Sequence, residues 1–372
     1  MARSRRHSGR DKVKSSNSSM PYIKYVYHRH MRPTTPRDAR LDTYRAMIMI
    51  YTVCVIHTTY WFAVGTEPLL SAMLFEMPVI FFIAGASQAV TEKKRNIIQT
   101  IINRSKRILL PLYIFLFFTF ATAISLTATG TDIHPYTIDL SRFTAAGLAK
   151  VLLTGGSTVF PFYGYTWFVS VYLVISCSLP IQQKLLRHIP GSAYLALTAA
   201  VVLALSPLHF KGEMELKHIP AYNFFYIAGY LYYKRCEQRL FTVVTTVATI
   251  MTIICFITGN MVPMQSHKFP ADIFFVIFGT ASLCLLTIIF RRIDIRYTYI
   301  LRLWNERGYT IYLYQTVSHA IVYAITYSWI DSIDSHIVKF LIYAPMAFTV
   351  TTLLSYITYP TEKYIISKIT AK

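Results

Sequence analysis

RLDTYRAMIMIYTVCVIH (residues 40–57) is an apolar run with charged residues near its start and one histidine, His57, at its end. FEMPVIFFIAG (residues 75–85) brings one acid, Glu76, into a second apolar run, and NRSKRILLP (residues 103–111) places a basic cluster before a third. Ionisable side chains are costly inside lipid, so they usually mark functional positions. These segments together predict a membrane protein that carries out chemistry among its first helices.

The composition of the whole chain agrees with the membrane class. The chain has 372 residues, of which 54% are hydrophobic and 15% aromatic, and its mean hydropathy is +0.42. Crossing the hydrocarbon core takes roughly 20 apolar residues as a helix, and about ten segments fit. We predict an all-α integral membrane bundle of about ten transmembrane helices formed by residues 42–365. Residues 1–41 are too basic and polar to build a core, so they are expected to be a disordered cytoplasmic tail, and residues 366–372 a second tail.

The charge distribution predicts the orientation of the bundle. A net charge of +20 would suggest a nucleic-acid partner in a soluble protein, but in a membrane protein the position of each charge matters more. With both termini in the cytoplasm, only a few of the 37 Lys and Arg residues fall in outer segments: Arg142, Lys150, Lys211, Lys217, Lys268 and Lys339. This asymmetry follows the positive-inside rule, and we expect no nucleic-acid partner.

His57 and Glu76 are predicted to lie at similar depth. At about 1.5 Å per residue, His57 lies roughly 18 Å above Arg45 and beyond the bilayer midplane, and Glu76 returns to that level in the next helix. A histidine base that is oriented by a carboxylate can activate a hydroxyl. Alternatively, Glu76 is protonated or reaches outwards, and His57 only hydrogen-bonds a helix carbonyl.

Arg104 and Arg107 are three residues apart and are predicted to share one face of an amphipathic helix at the inner interface. Such a pair can hold phosphate groups bidentately, as an acidic nucleotide-bearing donor would require. The alternative is a positive-inside anchor with no ligand. Tyr165 and Trp167, at the start of a later span, are either interfacial anchors or platforms that stack on a sugar.

Taken in order, these segments resemble acyltransferase family 3, the ten-helix bacterial membrane acyltransferases that modify sugar hydroxyls. The similarity covers roughly residues 40–365. It is clearest in the three segments quoted above, and it continues in YTWFV (165–169), FFYIAGYLYY (224–233), GYTIYLYQ (308–315) and YPTEKYI (359–365). This sequence departs from the family pattern in having Ala84-Gly85 where Ser-Gly is usual and Gln315 where the ninth helix usually has a histidine. It also has eleven residues, not ten, between Arg45 and His57.

The resemblance implies an activity and roles for particular residues. His57 would be the essential catalytic residue, acting as a general base or as a transient acyl carrier, with Glu76 as its candidate partner. Arg104, Arg107 and Arg45 would bind the acyl-CoA donor, while Trp167, Tyr165 and Gln315 would lie on the acceptor side.

The resemblance also implies the setting of the reaction. Acetyl-CoA or another acyl-CoA would be a co-substrate, with no permanently bound cofactor and no metal. The implied partners are membrane lipid, a glycan or lipid-linked sugar acceptor, and polysaccharide-assembly proteins. The implied location is the bacterial cytoplasmic (inner) membrane.

Two other classes of protein remain open at this stage. A proton-coupled transporter or flippase of a glycolipid or small metabolite would use His57 and Glu76 as a proton relay, but it would leave the basic cluster unexplained. An inactive scaffold in a polysaccharide-assembly complex is the third possibility.

Overall fold

The computed structural model describes residues 38–90, 97–128, 144–147, 161–208, 214–235, 238–292 and 297–370. The predicted N-terminal tail lies outside this range up to residue 37. Within the described residues the chain is almost entirely helical and contains no strand. In chain order the α-helices are α1 Ala39–Ile50, α2 Thr58–Trp61, α3 Leu69–Met73, α4 Glu76–Val90, α5 Ile97–Ala128, α6 Trp167–Leu185, α7 Gly191–Leu205, α8 Met214–Arg235, α9 Gln238–Ile257, α10 Met264–Lys268, α11 Ile273–Arg292, α12 Tyr299–Glu306, α13 Gly308–Ile330 and α14 His336–Thr370.

The first helical run changes its geometry just before His57. Asp38 caps α1 by accepting hydrogen bonds from the backbone amides of Arg40 (2.9 Å) and Leu41 (3.3 Å). The helix then continues as a π-helical segment, Tyr51–His57, before α2 begins. Because π-helical hydrogen bonds span five residues instead of four, such a segment accommodates an extra residue without breaking the helix. This wider segment lies between Arg45 and His57, the interval in which the sequence has one residue more than the family pattern.

Helix α4 lies at the centre of the fold and packs most extensively against α8. Two glycines make this crossing close. A Cβ atom on Gly85 would overlap the carbonyl oxygen of Tyr226, and one on Gly229 would overlap that of Phe82. Small residues allow helix backbones to approach in this way in membrane proteins. The two glycines belong to separate sequence motifs, and the structure shows that both motifs serve one helix contact.

The structure confirms the all-helical prediction but does not confirm ten membrane spans. Among the described residues, four helical segments are long and apolar enough to cross a membrane: Leu69–Val90, Ile97–Ser125, Tyr163–Leu185 and His336–Thr370. Three further apolar helical stretches are shorter: Gly191–Leu205, Phe241–Ile257 and Ile273–Ile289. The number of ten spans and the cytoplasmic location of both termini remain predictions.

The surface of the helices shows the character of a lipid-facing protein. Large apolar side chains are exposed along several helices, including Ile254 and Ile257 of α9 and Leu341, Leu353 and Ile357 of α14. Soluble monomers rarely expose contiguous apolar surface of this kind. The polar residues of α13, by contrast, turn inwards: Gln315, Ser318 and His319 are fully buried. The polar interior and apolar exterior together support a membrane location.

Candidate active site

His57 lies at the end of the π-helical segment and is only 5% exposed. Its Nδ1 atom is 2.6 Å from Oε1 of Gln315 in α13. An amide oxygen can only accept a hydrogen bond, so in this arrangement Nδ1 carries the imidazole proton and Nε2 is left with a free lone pair. This is the tautomer that a general base requires. Gln315, predicted on the acceptor side, therefore lies beside His57 and orients it.

Aromatic rings surround the imidazole of His57. The ring of Tyr165 is 4.2 Å from it, centroid to centroid, and that of Tyr312 is 5.7 Å away, edge-on. The Tyr312 hydroxyl donates to the backbone carbonyl of Tyr165 at 2.9 Å, which ties α13 to the segment that precedes α6. Rings packed in this way limit the access of water to the histidine.

A second buried histidine lies close to the first. Nε2 of His319 is 3.2 Å from the hydroxyl of Thr58, the residue that follows His57. The ring of His319 packs 5.7 Å from Trp61 and 5.8 Å from Phe62. The sequence shows His319 about one helical turn after Gln315 but gives it no role. The structure places it against the helix that carries His57.

Glu76 begins α4 and is fully buried. Its Oε1 atom accepts a hydrogen bond from Nζ of Lys268, and this ion pair is also buried. The hydrogen-bond partner of His57 in the structure is thus Gln315, and that of Glu76 is Lys268. The catalytic partnership between Glu76 and His57 stays a prediction. Lys268, which the charge count assigned to an outer segment, has its side chain buried in the protein interior beside Glu76.

The segment that carries Lys268 is held in place at several points. The backbone amide of Met264, at the start of α10, donates to the hydroxyl of Ser71 in α3 at 2.8 Å. At the other end of the segment, Oδ1 of Asp272 accepts from the backbone amide of Phe275 at 3.1 Å and so caps α11. Nδ1 of His267 is 2.7 Å from Oδ2 of Asp272. These contacts fix the turn from which Lys268 points inwards.

The contact between His267 and Asp272 predicts a dependence of stability on pH. The hydrogen bond to Asp272 is the main cause that raises the pKa of His267 above its ordinary value. A raised pKa in the folded state adds stability that is complete below the unfolded pKa of about 6.5 and is lost as the pH rises through the folded pKa. We therefore expect the melting temperature of wild type to exceed that of His267→Asn at pH 6, with the difference narrowing by about pH 9. If the difference in melting temperature between wild type and His267→Asn widens with rising pH, the contact with Asp272 does not stabilise the protein in this way.

Two of the three predicted donor-binding arginines contact residues near the end of α4. Arg45 donates to Ser87 (2.5 Å) and to Asn305 (2.9 Å), and Arg104 donates to the neighbouring Gln88 (2.5 Å). Positive charge is favourable near the carboxyl end of a helix. The third arginine, Arg107, is exposed on α5. The structure thus places Arg45 and Arg104 against adjacent residues of α4 and leaves Arg107 more open to solvent.

Trp167 begins α6 and joins a group of rings near Lys268. Its ring centroid lies 4.8 Å from His218, 5.0 Å from Phe269 and 5.7 Å from Tyr222. Tyr165, two residues earlier, faces His57 instead. One short segment therefore contributes to two neighbouring parts of the interior. Sequence reasoning missed Tyr222, which is one of 28 tyrosines, and His218, which is one of 11 histidines and follows a polar segment.

Helix α4 links the two regions of the site. Glu76 lies at its first residue, and Gln88, which contacts Arg104, lies twelve positions later. At the rise of an α-helix, these positions are about 18 Å apart. A basic region and a buried polar region are thus held at a fixed separation by one rigid element. No group of three His, Cys, Asp or Glu side chains that could hold a metal ion occurs in the described parts of the chain.

Comparison with known proteins identifies the class. A family model described as an acyltransferase domain, acyltransferase family 3, matches residues 38–360. The match covers most of the chain, so the protein belongs to this family. No curated protein and no solved structure matches it significantly. Family membership and the apolar helices together define a membrane acyltransferase.

Proposed function

We propose that the protein transfers an acetyl or similar short acyl group from cytoplasmic acyl-CoA to a hydroxyl of a cell-surface polysaccharide or lipid-linked sugar, in the inner membrane of a bacterium. The observation that carries this proposal is the arrangement along α4. Guanidinium groups suited to phosphate lie near one end of α4, and Glu76, whose partner Lys268 is within electrostatic reach of His57, lies at the other end. An extended thioester arm suits this separation.

In the proposed reaction, His57 is the catalytic base. Its Nε2 atom takes the proton of the acceptor hydroxyl while the hydroxyl oxygen attacks the thioester carbonyl. An ester C–O bond forms and the C–S bond breaks, and the proton then passes from His57 to the leaving thiolate, which gives free CoA. The hydrogen bond from Nδ1 to Gln315 holds the ring in the required tautomer throughout.

The proposed donor site predicts a strong effect of Arg104→Ala. Charge-assisted hydrogen bonds to phosphate contribute about 1.5–3 kcal/mol, so removing one guanidinium should raise the KM for acetyl-CoA by roughly 10- to 100-fold. The measurement is steady-state transfer of labelled acetyl groups by the purified protein, with acetyl-CoA varied. Lys184→Ala, which removes an exposed positive charge at the end of α6, is the matched control and should leave this KM unchanged.

Two further measurements address the alternative functions. Calorimetric binding of acetyl-CoA to the purified protein supports an acyltransferase and would not be expected of a glycolipid transporter. Mass analysis of surface glycans from cells with and without the gene should show a difference of one acyl group. If acetyl-CoA does not bind and the glycan masses are unchanged, the proposed function is wrong.

A further inference from the structure

Besides Nε2 of Gln315 and Nδ1 of His319, two further buried polar groups in the region around Tyr312 have no hydrogen-bond partner among the described residues. One is Oε2 of Glu76 and the other is the hydroxyl of Tyr222, and both side chains are fully buried. The charge of Glu76 is close enough to act on Tyr222. A buried polar atom without a partner carries the full cost of its lost hydration. Two such atoms in one place indicate a position for a ligand.

The position lies beside the proposed catalytic base. The Tyr312 ring contacts His57 edge-on, and Tyr312 also lies within the electrostatic reach of Glu76. On the other side, Tyr222 packs against Trp167 and His218. Tyr312 thus contacts the histidine and lies within electrostatic reach of both Glu76 and Tyr222, which connects the two unpartnered atoms to His57.

The chemistry of the two atoms limits what can bind there. Lys268 occupies only Oε1 of Glu76, so the carboxylate is oriented and its charge balanced while Oε2 remains able to accept. A second cation would satisfy Glu76 but not the hydroxyl donor of Tyr222, and an anion would be repelled by the carboxylate. A neutral hydroxyl has one donor and two acceptor lone pairs, so it can donate to Glu76 and accept from Tyr222 at once.

On the basis of the proposed function, we propose that Glu76 Oε2 and the Tyr222 hydroxyl bind a second hydroxyl of the acceptor, next to the one that is acylated at His57. The acceptor is then a polyol with neighbouring hydroxyl groups. Glu76 and Tyr222 determine this specificity, and Lys268 is a positioning residue that acts through Glu76.

The test compares two alcohols with the same carbon skeleton. Transfer of labelled acetyl from acetyl-CoA is measured with 1,2-propanediol and with 1-propanol as acceptors, using the full-length protein in detergent. Wild type should use the diol about tenfold more efficiently, and Tyr222→Phe should reduce this preference to about twofold or less, as expected for one lost hydrogen bond. The change should appear in the KM for the diol and not in the KM for acetyl-CoA.

Stability measurements separate this role from a structural one. Because the Tyr222 hydroxyl has no partner among the described residues, Tyr222→Phe should melt at the same temperature as wild type or higher. Tyr194→Phe is the matched control, since the Tyr194 hydroxyl is already bonded to Gln182 at 3.1 Å. It should melt at a lower temperature and retain the preference for the diol.

The inference and the proposed function can fail separately. If wild type acylates surface glycans and binds acetyl-CoA but shows no preference for the diol over the simple alcohol, the hydroxyl-binding position is refuted and the acyltransferase assignment stands. A preference for the diol that is unchanged in Tyr222→Phe would likewise refute the hydroxyl-binding position and leave the acyltransferase assignment intact. If there is neither acetyl-CoA binding nor glycan acylation, both proposals are refuted.

Discussion

His57→Ala is expected to reduce acyl transfer by about two to four orders of magnitude, the usual contribution of a general base. The side chain is buried among Tyr165, Tyr312 and Gln315, and its Nε2 atom is the group that we propose takes the proton of the acceptor. The loss should appear in kcat, because the donor phosphates are proposed to bind near the other end of α4. The measurement is transfer of labelled acetyl by purified protein.

Two controls make the result for His57→Ala interpretable. The variant should still bind acetyl-CoA in calorimetry with nearly the affinity of wild type, which would show that the donor site is intact. His188→Ala, which removes an exposed histidine in the turn after α6, should transfer at the normal rate. If His57→Ala folds, binds the donor and transfers acetyl at the normal rate, His57 is not the general base.

Gly85→Ala is expected to cost the protein at least about 3 kcal/mol of folding free energy, at the upper end of overpacking effects. The added methyl group would overlap the backbone carbonyl of Tyr226, which cannot rotate away as a side chain can. Helices α4 and α8 would have to separate, and α4 carries both Glu76 and the residues that contact the arginines. We expect a large loss of monodisperse protein and a lower melting temperature for whatever protein is recovered.

The control for Gly85→Ala is a glycine where space is available. A Cβ atom on Gly164 would meet no atom within 4 Å. Gly164→Ala should therefore be purified in the same yield as wild type and melt at nearly the same temperature. Gly229→Ala should resemble Gly85→Ala, because its methyl group would overlap the carbonyl of Phe82 at the same crossing. Normal stability of Gly85→Ala would mean that the two helices are not packed as closely as the structure indicates.

The family and the main candidates could be predicted from the sequence because each depends on local signals. An isolated histidine in an apolar run, paired arginines before a proline and small residues in an apolar helix can all be recognised without knowledge of the fold. The glycines at 85 and 229 were visible as parts of two motifs. Their contact was not, since periodicity along a single helix does not identify the neighbour that it packs against.

The sequence by itself determined the membrane class, the acyltransferase family and His57 as the residue around which to look. Only the tertiary structure decided the partners: Gln315 for His57, Lys268 for Glu76, and the neighbouring residues Ser87 and Gln88 for Arg45 and Arg104. His57 and Gln315 are separated by 258 positions, and Glu76 and Lys268 by 192. Side chains so far apart in the chain meet only through helix packing, so the charge count, which assigned Lys268 to an outer segment, could not show that its side chain is buried beside Glu76.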